Sequence, residues 1–260
     1  MKLTENNLEQ HKLATGQYGF SATKLDDLSA AGASEYTLVS IVADRSGSTV
    51  AFRAEMENCI KSVVKSCKFS ERADNLMLRL TTFSTHSAAS DPLEEIHGFK
   101  LLDTCNLDDY TGCIPPWGNT ALFEASENAV SATMAYGKKL INDEYSVNGI
   151  IFIITDGDDN KNDPAMQAKH VGDALKDAVK KECLESLMVI LIGVNIQNQH
   201  YSKKLQDFRD EAGITQYIEL PNVTPSSLAK LADFISKSIS SQSKSLGSGA
   251  ASIPLAAPTI

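Results

Sequence analysis

Three side chains with hard oxygen donors follow one apolar stretch of the sequence. Residues 38–43 are mainly apolar, as in a buried strand, and Asp44, Ser46 and Ser48 come directly after them at a spacing of two. Carboxylate and hydroxyl oxygens suit a small divalent ion such as Mg²⁺, which binds few carboxylates and retains water. Because open α/β sheets bind ligands where a strand leads into a helix, we predict a metal site here.

Each of these residues also has an ordinary structural interpretation. Asp44 can cap the helix that follows, and Ser46 and Ser48 are common turn and cap residues. A carboxylate at the end of an apolar strand is costly, however, unless a partner or a metal compensates its charge. The three residues together therefore favour metal ligation.

Two further oxygen donors stand at separate points of the chain. Thr120 lies in GNTALFEA, directly before a helical pattern, where with Glu124 nearby it can also serve as a helix N-cap. Asp156 lies in IFIITDGDDN, directly after a second apolar strand. Like Asp44, each of the two stands where an apolar strand ends or a helical pattern begins.

The five residues together resemble the metal-ion-dependent adhesion site of von Willebrand factor type A domains. The resemblance implies that Ser46 and Ser48 bind the ion directly and that Asp44 binds it directly or through water. It implies that Thr120 enters or leaves the coordination shell as its loop shifts, and that Asp156 often binds through water. In that family, an acidic side chain of a partner protein commonly takes the open coordination position.

This resemblance covers roughly residues 36–240 and implies a function in protein binding. We expect bound Mg²⁺, or Mn²⁺ or Ca²⁺, to complete its coordination with an Asp or Glu of a protein partner, because hydroxyl ligands leave the ion much of its charge. Two alternatives stay open. One is a metal-dependent enzyme acting on phosphate esters, suggested by Asp156 and Asp158. The other is a structural subunit whose metal only stabilises the fold.

Catalytic motifs give the enzyme interpretation little support. The sequence contains no Ser-His-Asp order, no P-loop and no G-x-G-x-x-G, and its five histidines are scattered, with His86 expected at the surface. A calcium loop of the EF-hand type starting at Asp156 would need glycine at Lys161 and glutamate at Gln167. The neighbouring acidic residues are expected to be solvated loop charges: Asp158, Asp159 and Asp163. We therefore expect a protein that is not an enzyme.

The elements that position these residues alternate between strand and helix. This alternation, with several strands apolar throughout, predicts an α/β fold: a Rossmann-like three-layer αβα sandwich with a mostly parallel sheet and one antiparallel edge strand, assigned to residues 95–102. We divide the chain into an N-terminal arm over 1–35, packed on the domain or partly ordered, a domain over 36–243, and a flexible tail over 244–260. A long, flexible loop over 103–119 is expected beside the site.

Charge and cysteine content narrow the functional class. The net charge of −9 disfavours nucleic acid or an anionic membrane as the main partner. No stretch reaches the roughly 18 apolar residues of a membrane span, and MKLTENNLEQHK has no signal-like apolar segment. The five cysteines are odd in number and lack C-x-x-C spacing, so we expect free thiols in a cytoplasmic protein, with a Cys105–Cys113 bridge as the less favoured alternative. The oligomeric state is not indicated.

Overall fold

One sheet runs through the part of the chain that the computed structural model describes, residues 8–13, 19–28, 32–85, 92–160, 166–180 and 183–258. It has eight strands in the order β1-β2-β5-β4-β3-β6-β7-β8. Their bounds are β1 Leu8–His11, β2 Phe20–Thr23, β3 Glu35–Asp44, β4 Leu76–Phe83, β5 Leu93–Leu101, β6 Ser146–Thr155, β7 Leu187–Val194 and β8 Gln216–Leu220. The helices are α1 Leu25–Leu28, α2 Arg53–Lys68, α3 Leu122–Asn142, α4 Ala168–Lys180, α5 Gln199–Ala212 and α6 Pro225–Ser248.

The central strand, β3, has apolar side chains on both faces. It pairs in parallel with β4 on one side and β6 on the other, and its residues from Tyr36 to Asp44 are buried. Val39 and Ile41 belong to the core under α2 and α6, whereas Val42 belongs to the core under α3, α4 and α5. Layers of helices on both faces of a mostly parallel sheet confirm the predicted three-layer α/β fold.

The antiparallel part of the sheet is larger than predicted. β5 is antiparallel to β4, but it is not an edge strand, because β2 pairs with it and β1 pairs with β2. The described part of the N-terminal arm is therefore packed on the domain. Its Phe20 contacts Phe99 of β5 and Tyr136 of α3 in one aromatic cluster. Strands of four residues with a mixed sequence carry too little periodicity to be recognised beforehand.

The loop over 103–119 is packed against the domain, contrary to the expected flexible loop. It contains short 3₁₀ turns and buries Tyr110 and Ile114. The carboxylate of Glu57 in α2 accepts the backbone N–H groups of Gly112 at 2.9 Å and Ile114 at 3.2 Å. Apolar anchors and a buried carboxylate thus hold a segment whose prolines and glycines alone indicated mobility.

The last helix is longer than predicted. α6 continues to Ser248, past the proposed boundary at 243, and Gly249 ends it in the left-handed conformation with φ 65°. The reason is burial: Ser243 and Leu246 lie against the domain, and packing outweighs the modest helix preference of serine. Beyond the helix, the carbonyl of Leu255 accepts a hydrogen bond from the Gln216 side chain at 3.0 Å. The expected flexible tail over 244–260 therefore begins with helix and then contacts β8.

The state of the cysteines and the length of the helices bear on two further expectations from the sequence. All five cysteines are free and buried, so Cys105 and Cys113 form no bridge. Among the helices of the described ranges, none is long and apolar enough to cross a membrane. The expectations for His86, Lys161 and Asp163 concern positions outside the described residues.

Among the described residues, His97 is one of two buried histidines in the antiparallel part of the sheet, and the other is His11. The two ring nitrogens of His97 lie 3.0 Å from the Gly98 carbonyl oxygen and 3.0 Å from the Tyr110 hydroxyl. Burial lowers the pKa of His97 from 6.5 to about 4, and the positive charge of Lys100 adds to this effect. The folded protein therefore binds this proton less readily than the unfolded chain does.

We predict that His97 makes the protein acid-sensitive. Its contribution to the free energy of unfolding should be complete above its unfolded pKa near 6.5. It should decrease as pH falls toward about 4, by about 3 kcal/mol in all. Urea denaturation of the wild type and His97→Gln across this range measures the effect. The carboxylates are common to both proteins, so the difference between them isolates His97; parallel pH curves would contradict the prediction.

Candidate metal centre

Three loops at the carboxyl edge of the sheet bring the predicted ligands together. Asp44 ends β3, and a 3₁₀ turn over Gly47–Ala51 separates it from α2. Asp156 follows β6, the strand paired in parallel with β3, so both carboxylates leave the sheet at the same edge. Thr120 lies in the loop before α3, which covers one face of these strands.

A continuous hydrogen-bond network joins four of the five predicted ligands. Asp44 is fully buried, and its carboxylate accepts the Ser46 backbone N–H and the Thr155 hydroxyl, each at 2.7 Å. The Ser46 and Ser48 hydroxyl oxygens are 3.0 Å apart, and Ser48 donates to an Asp156 carboxylate oxygen at 2.9 Å. We call Asp44, Ser46, Ser48 and Asp156 the ligand network.

Thr120, the fifth predicted ligand, is held beside this network through backbone contacts. The Gly47 N–H donates to the Gly118 carbonyl at 3.0 Å, which fixes the second loop against the first. Gly118 has φ 71°, a conformation that glycine adopts without strain. Thr120 is buried; its N–H donates to the Asn160 side chain at 2.6 Å, and its carbonyl accepts the Asn160 N–H at 3.0 Å. The loops that carry all five residues are thus in contact.

The helix-cap alternatives do not account for these residues. α2 begins at Arg53 with Phe52 at its N-cap position, so Asp44 does not cap it. Ser46 precedes the 3₁₀ turn without a capping side-chain bond. For α3, the N-cap position belongs to Ala121, so Thr120 does not fill it. Metal ligation stays as the interpretation that uses all of these side chains.

Sequence reasoning missed the role of Asp159. It was expected to be a solvated loop charge, but its carboxylate accepts the Phe123 N–H in the first turn of α3 at 3.2 Å. Burial raises the pKa of Asp159 to about 6, with added repulsion from Glu124 and Asp158. Asp158 itself lies 3.8 Å from the Lys204 ammonium. A run of acidic residues in a loop gives no signal for which one will reach a helix terminus.

The electrostatics of the ligand network favour a cation. Burial raises the pKa of Asp44 to about 7, and the nearby negative charge of Asp156 contributes to the rise. Burial also raises the pKa of Asp156. Burial and mutual repulsion both destabilise the charged form of these two carboxylates, and a positive charge close by stabilises it. Their rise in pKa therefore fits a site that a divalent cation completes.

The donor set also selects the kind of ion. It consists of two carboxylates and three hydroxyls, all hard oxygen ligands, as Mg²⁺ prefers. In the ranges the structure describes, no group of three or more His, Cys, Asp or Glu side chains is placed to hold a metal ion. The ligand network with Thr120 is consequently the place where metal binding is to be tested.

Similarity to known proteins lies in the fold. No protein-family model and no curated protein sequence matches this chain. A mutant of the PilB minor pilin from Streptococcus sanguinis aligns over 85% of this chain and 64% of its own, with TM-score 0.56 and 14% identity. The pilus adhesin SpaC from Lactobacillus rhamnosus GG aligns over 90% of this chain and 34% of its own, with TM-score 0.58 and 11% identity.

A structure described as von Willebrand factor type A from Catenulispora acidiphila aligns over 86% of this chain and 45% of its own, with TM-score 0.48 and 13% identity. This chain therefore spans less than two thirds of the length of each of these three structures. At such low identities, the likeness to the pilin and the adhesin shows the fold alone.

We predict that Mg²⁺ and Mn²⁺ bind at the ligand network. Replacing Asp44 with alanine should weaken binding by about a hundredfold or more, because Asp44 anchors the first loop through Ser46. Isothermal titration calorimetry on the wild type and Asp44→Ala measures the change.

The matched control is Asp158→Asn, which removes one negative charge near the site without removing a predicted ligand. It should change the affinity only a few-fold, because the charge acts through solvent. Equal affinity in the wild type and Asp44→Ala, or an equal loss in both variants, would place the ion elsewhere.

The fold should persist without metal, because apolar strands and helix faces supply the core. Bound metal should add about 2.7 kcal/mol to the free energy of unfolding at a hundredfold excess over Kd. Far-UV circular dichroism of the chelated protein, followed by urea denaturation with and without Mg²⁺, tests both statements. Loss of the folded spectrum on chelation at room temperature would instead favour a purely structural metal.

Proposed function

We propose that this chain is a divalent-metal-dependent protein-binding module. In this proposal, Mg²⁺ at the ligand network completes its coordination with an acidic side chain of a partner protein. The observation that carries the proposal is the hydrogen-bonded set of one buried carboxylate, two serine hydroxyls and a second carboxylate at the carboxyl edge of the sheet.

The exposure of the ligand network supports recognition from outside. Asp44 and Ser46 are buried, whereas Ser48 is exposed and Asp156 is half-buried. The inner residues therefore hold the site together while the outer ones face the surface. An ion held largely by neutral hydroxyls keeps positive charge toward solvent. A partner carboxylate then gains a charge-assisted contact in a partly dry site.

An enzymatic function has less support, and we propose that the protein is not an enzyme. Asp158, the residue that suggested a two-metal site, lies beside Lys204, and Asp159 binds the first turn of α3. Among the described residues, no hydrogen bond joins the Asp158 or Asp159 side chain to the ligand network. The buried His97 belongs to the antiparallel part of the sheet. A cytoplasmic location is likewise a proposal, supported by five free, buried cysteines.

We predict a partner that binds in Mg²⁺ and is released by chelator. Immobilised wild-type protein in Mg²⁺ should retain this partner. Asp44→Ala and the double variant Ser46→Ala with Ser48→Ala should not, because each removes oxygens that hold the ion. Quantitative mass spectrometry of the retained proteins measures the difference. Replacing one acidic residue of the purified partner should then weaken binding as much as chelation does.

The control for this experiment is Asp158→Asn, which should retain the partner. Binding that persists undiminished in chelator would mean that a surface other than the ion makes the contact. The purified protein should also show no hydrolysis of generic phosphate esters above background with Mg²⁺ or Mn²⁺. Turnover that disappears in both Asp44→Ala and Asp158→Ala would support the enzyme alternative.

A further inference from the structure

Large apolar side chains are exposed at the edge of the sheet that carries the ligand network. Within the described ranges, five large hydrophobic side chains are exposed, and they divide between two ends of the domain. Their exposed fractions are 64% for Val50, 81% for Phe69, 40% for Trp117, 44% for Tyr201 and 71% for Ile253.

Two of these side chains come from the loops that build the metal site. Val50 lies in the 3₁₀ turn that carries Ser48, two residues further along the chain. Trp117 precedes Gly118, whose carbonyl accepts the Gly47 N–H, and its own N–H donates to the Arg45 carbonyl at 2.9 Å. Val50 and Trp117 therefore stand on two adjoining loops next to Ser46 and Ser48.

A third side chain approaches from α5. Tyr201 lies in the first turn of that helix, and Lys204, three residues later, shares its outward face. The Lys204 ammonium lies 3.8 Å from the carboxylate of Asp158, two residues after Asp156. Tyr201 is thus placed beside the third loop of the site.

The other two exposed side chains lie at the opposite end of the domain. Phe69 ends α2, next to the segment in which Arg72 pairs with Glu35 at the start of β3. Ile253 follows Ser252, whose hydroxyl lies 2.7 Å from that of Ser186, directly before β7. Both positions are at the amino ends of parallel strands, and the ligand network is at the carboxyl ends.

We propose that Val50, Trp117 and Tyr201, the apolar rim, bind apolar side chains that flank the partner's acidic residue. This inference rests on the proposed function and specifies the partner as a protein segment with Asp or Glu between aliphatic or aromatic residues. A carboxylate that binds the ion gives up contacts with water in exchange for a contact with the ion. Burial of the rim adds a hydrophobic gain that a lone carboxylate lacks.

Two cations near the rim are already paired with acidic side chains. The Arg45 guanidinium lies 2.6 Å from the carboxylate of Glu94, and Lys204 is near Asp158. These cations are already paired with acidic side chains, so they offer little attraction for further partner carboxylates. In this proposal the ion attracts the acidic residue, and the rim is the surface for its apolar neighbours.

The test uses two fluorescent peptides that differ only beside a central aspartate. One has glycine on both sides, and the other has leucine before and phenylalanine after. Fluorescence anisotropy in Mg²⁺ should show that the protein binds the apolar peptide about tenfold more tightly than the glycine peptide, with both released by chelator. In Val50→Thr with Trp117→Ser, both peptides should bind with the weaker affinity.

Matched controls separate the rim from general surface effects. Phe69→Ser with Ile253→Ser removes as many exposed apolar side chains from the opposite end and should preserve the tenfold preference. Calorimetric Mg²⁺ affinity equal to wild type in the rim variant shows that its site is intact. If the preference for the apolar peptide survives in the rim variant, or disappears in the control variant, the proposed role of the apolar rim is wrong.

Other outcomes contradict one proposal or both. If Mg²⁺ binds but neither peptide does, the proposed function is wrong and the rim with it. If both peptides bind equally and only in Mg²⁺, the proposed function is supported and the proposed role of the apolar rim is wrong. Self-association of the wild type in light scattering, absent in the rim variant, would make a second copy the occupant and overturn the peptide partner.

Discussion

The structure depends on burying one carboxylate at the end of its central strand. Asp44 has no solvent exposure, and its two oxygens are satisfied by the Ser46 N–H and the Thr155 hydroxyl. Two hydrogen bonds do not offset the desolvation of a charged group next to Asp156, as the raised pKa of Asp44 shows. Protonation or a nearby positive charge offsets this cost, so the fold holds in place a carboxylate that a cation would stabilise in its charged form.

The register of the parallel strands places Asp44 and Asp156 at the same edge of the sheet. β3 and β6 run in parallel with Ala43 opposite Ile154, so each strand brings its terminal carboxylate to the same edge. The adjoining loops are fixed by hydrogen bonds from Gly47 to Gly118 and between Thr120 and Asn160, in addition to the bond between the Ser48 and Asp156 side chains. The ligands are therefore positioned by the scaffold before an ion arrives, which lowers the cost of binding it.

The sequence predicted the parts of the structure in which apolar residues repeat or strands alternate with helices. Apolar strands predicted the central sheet, and residues at strand ends predicted that Asp44, Ser46, Ser48 and Asp156 lie together. It missed features that depend on tertiary contact. Asp159 looks like its acidic neighbours until α3 packs beside it. The short strands of the arm and the helical end of α6 owe their structure to packing, which the sequence left open for the arm and did not indicate for the tail.

The central claim is that a divalent ion binds where these oxygens converge. Anomalous diffraction from crystals grown with Mn²⁺ tests it most directly, because the signal locates the ion without reference to activity. We expect one peak between the Ser46 and Ser48 hydroxyl oxygens, close to Asp44, with Ser48 no longer donating to Asp156. A peak bound to other residues, or no peak with the Ser48–Asp156 hydrogen bond intact, would contradict the account.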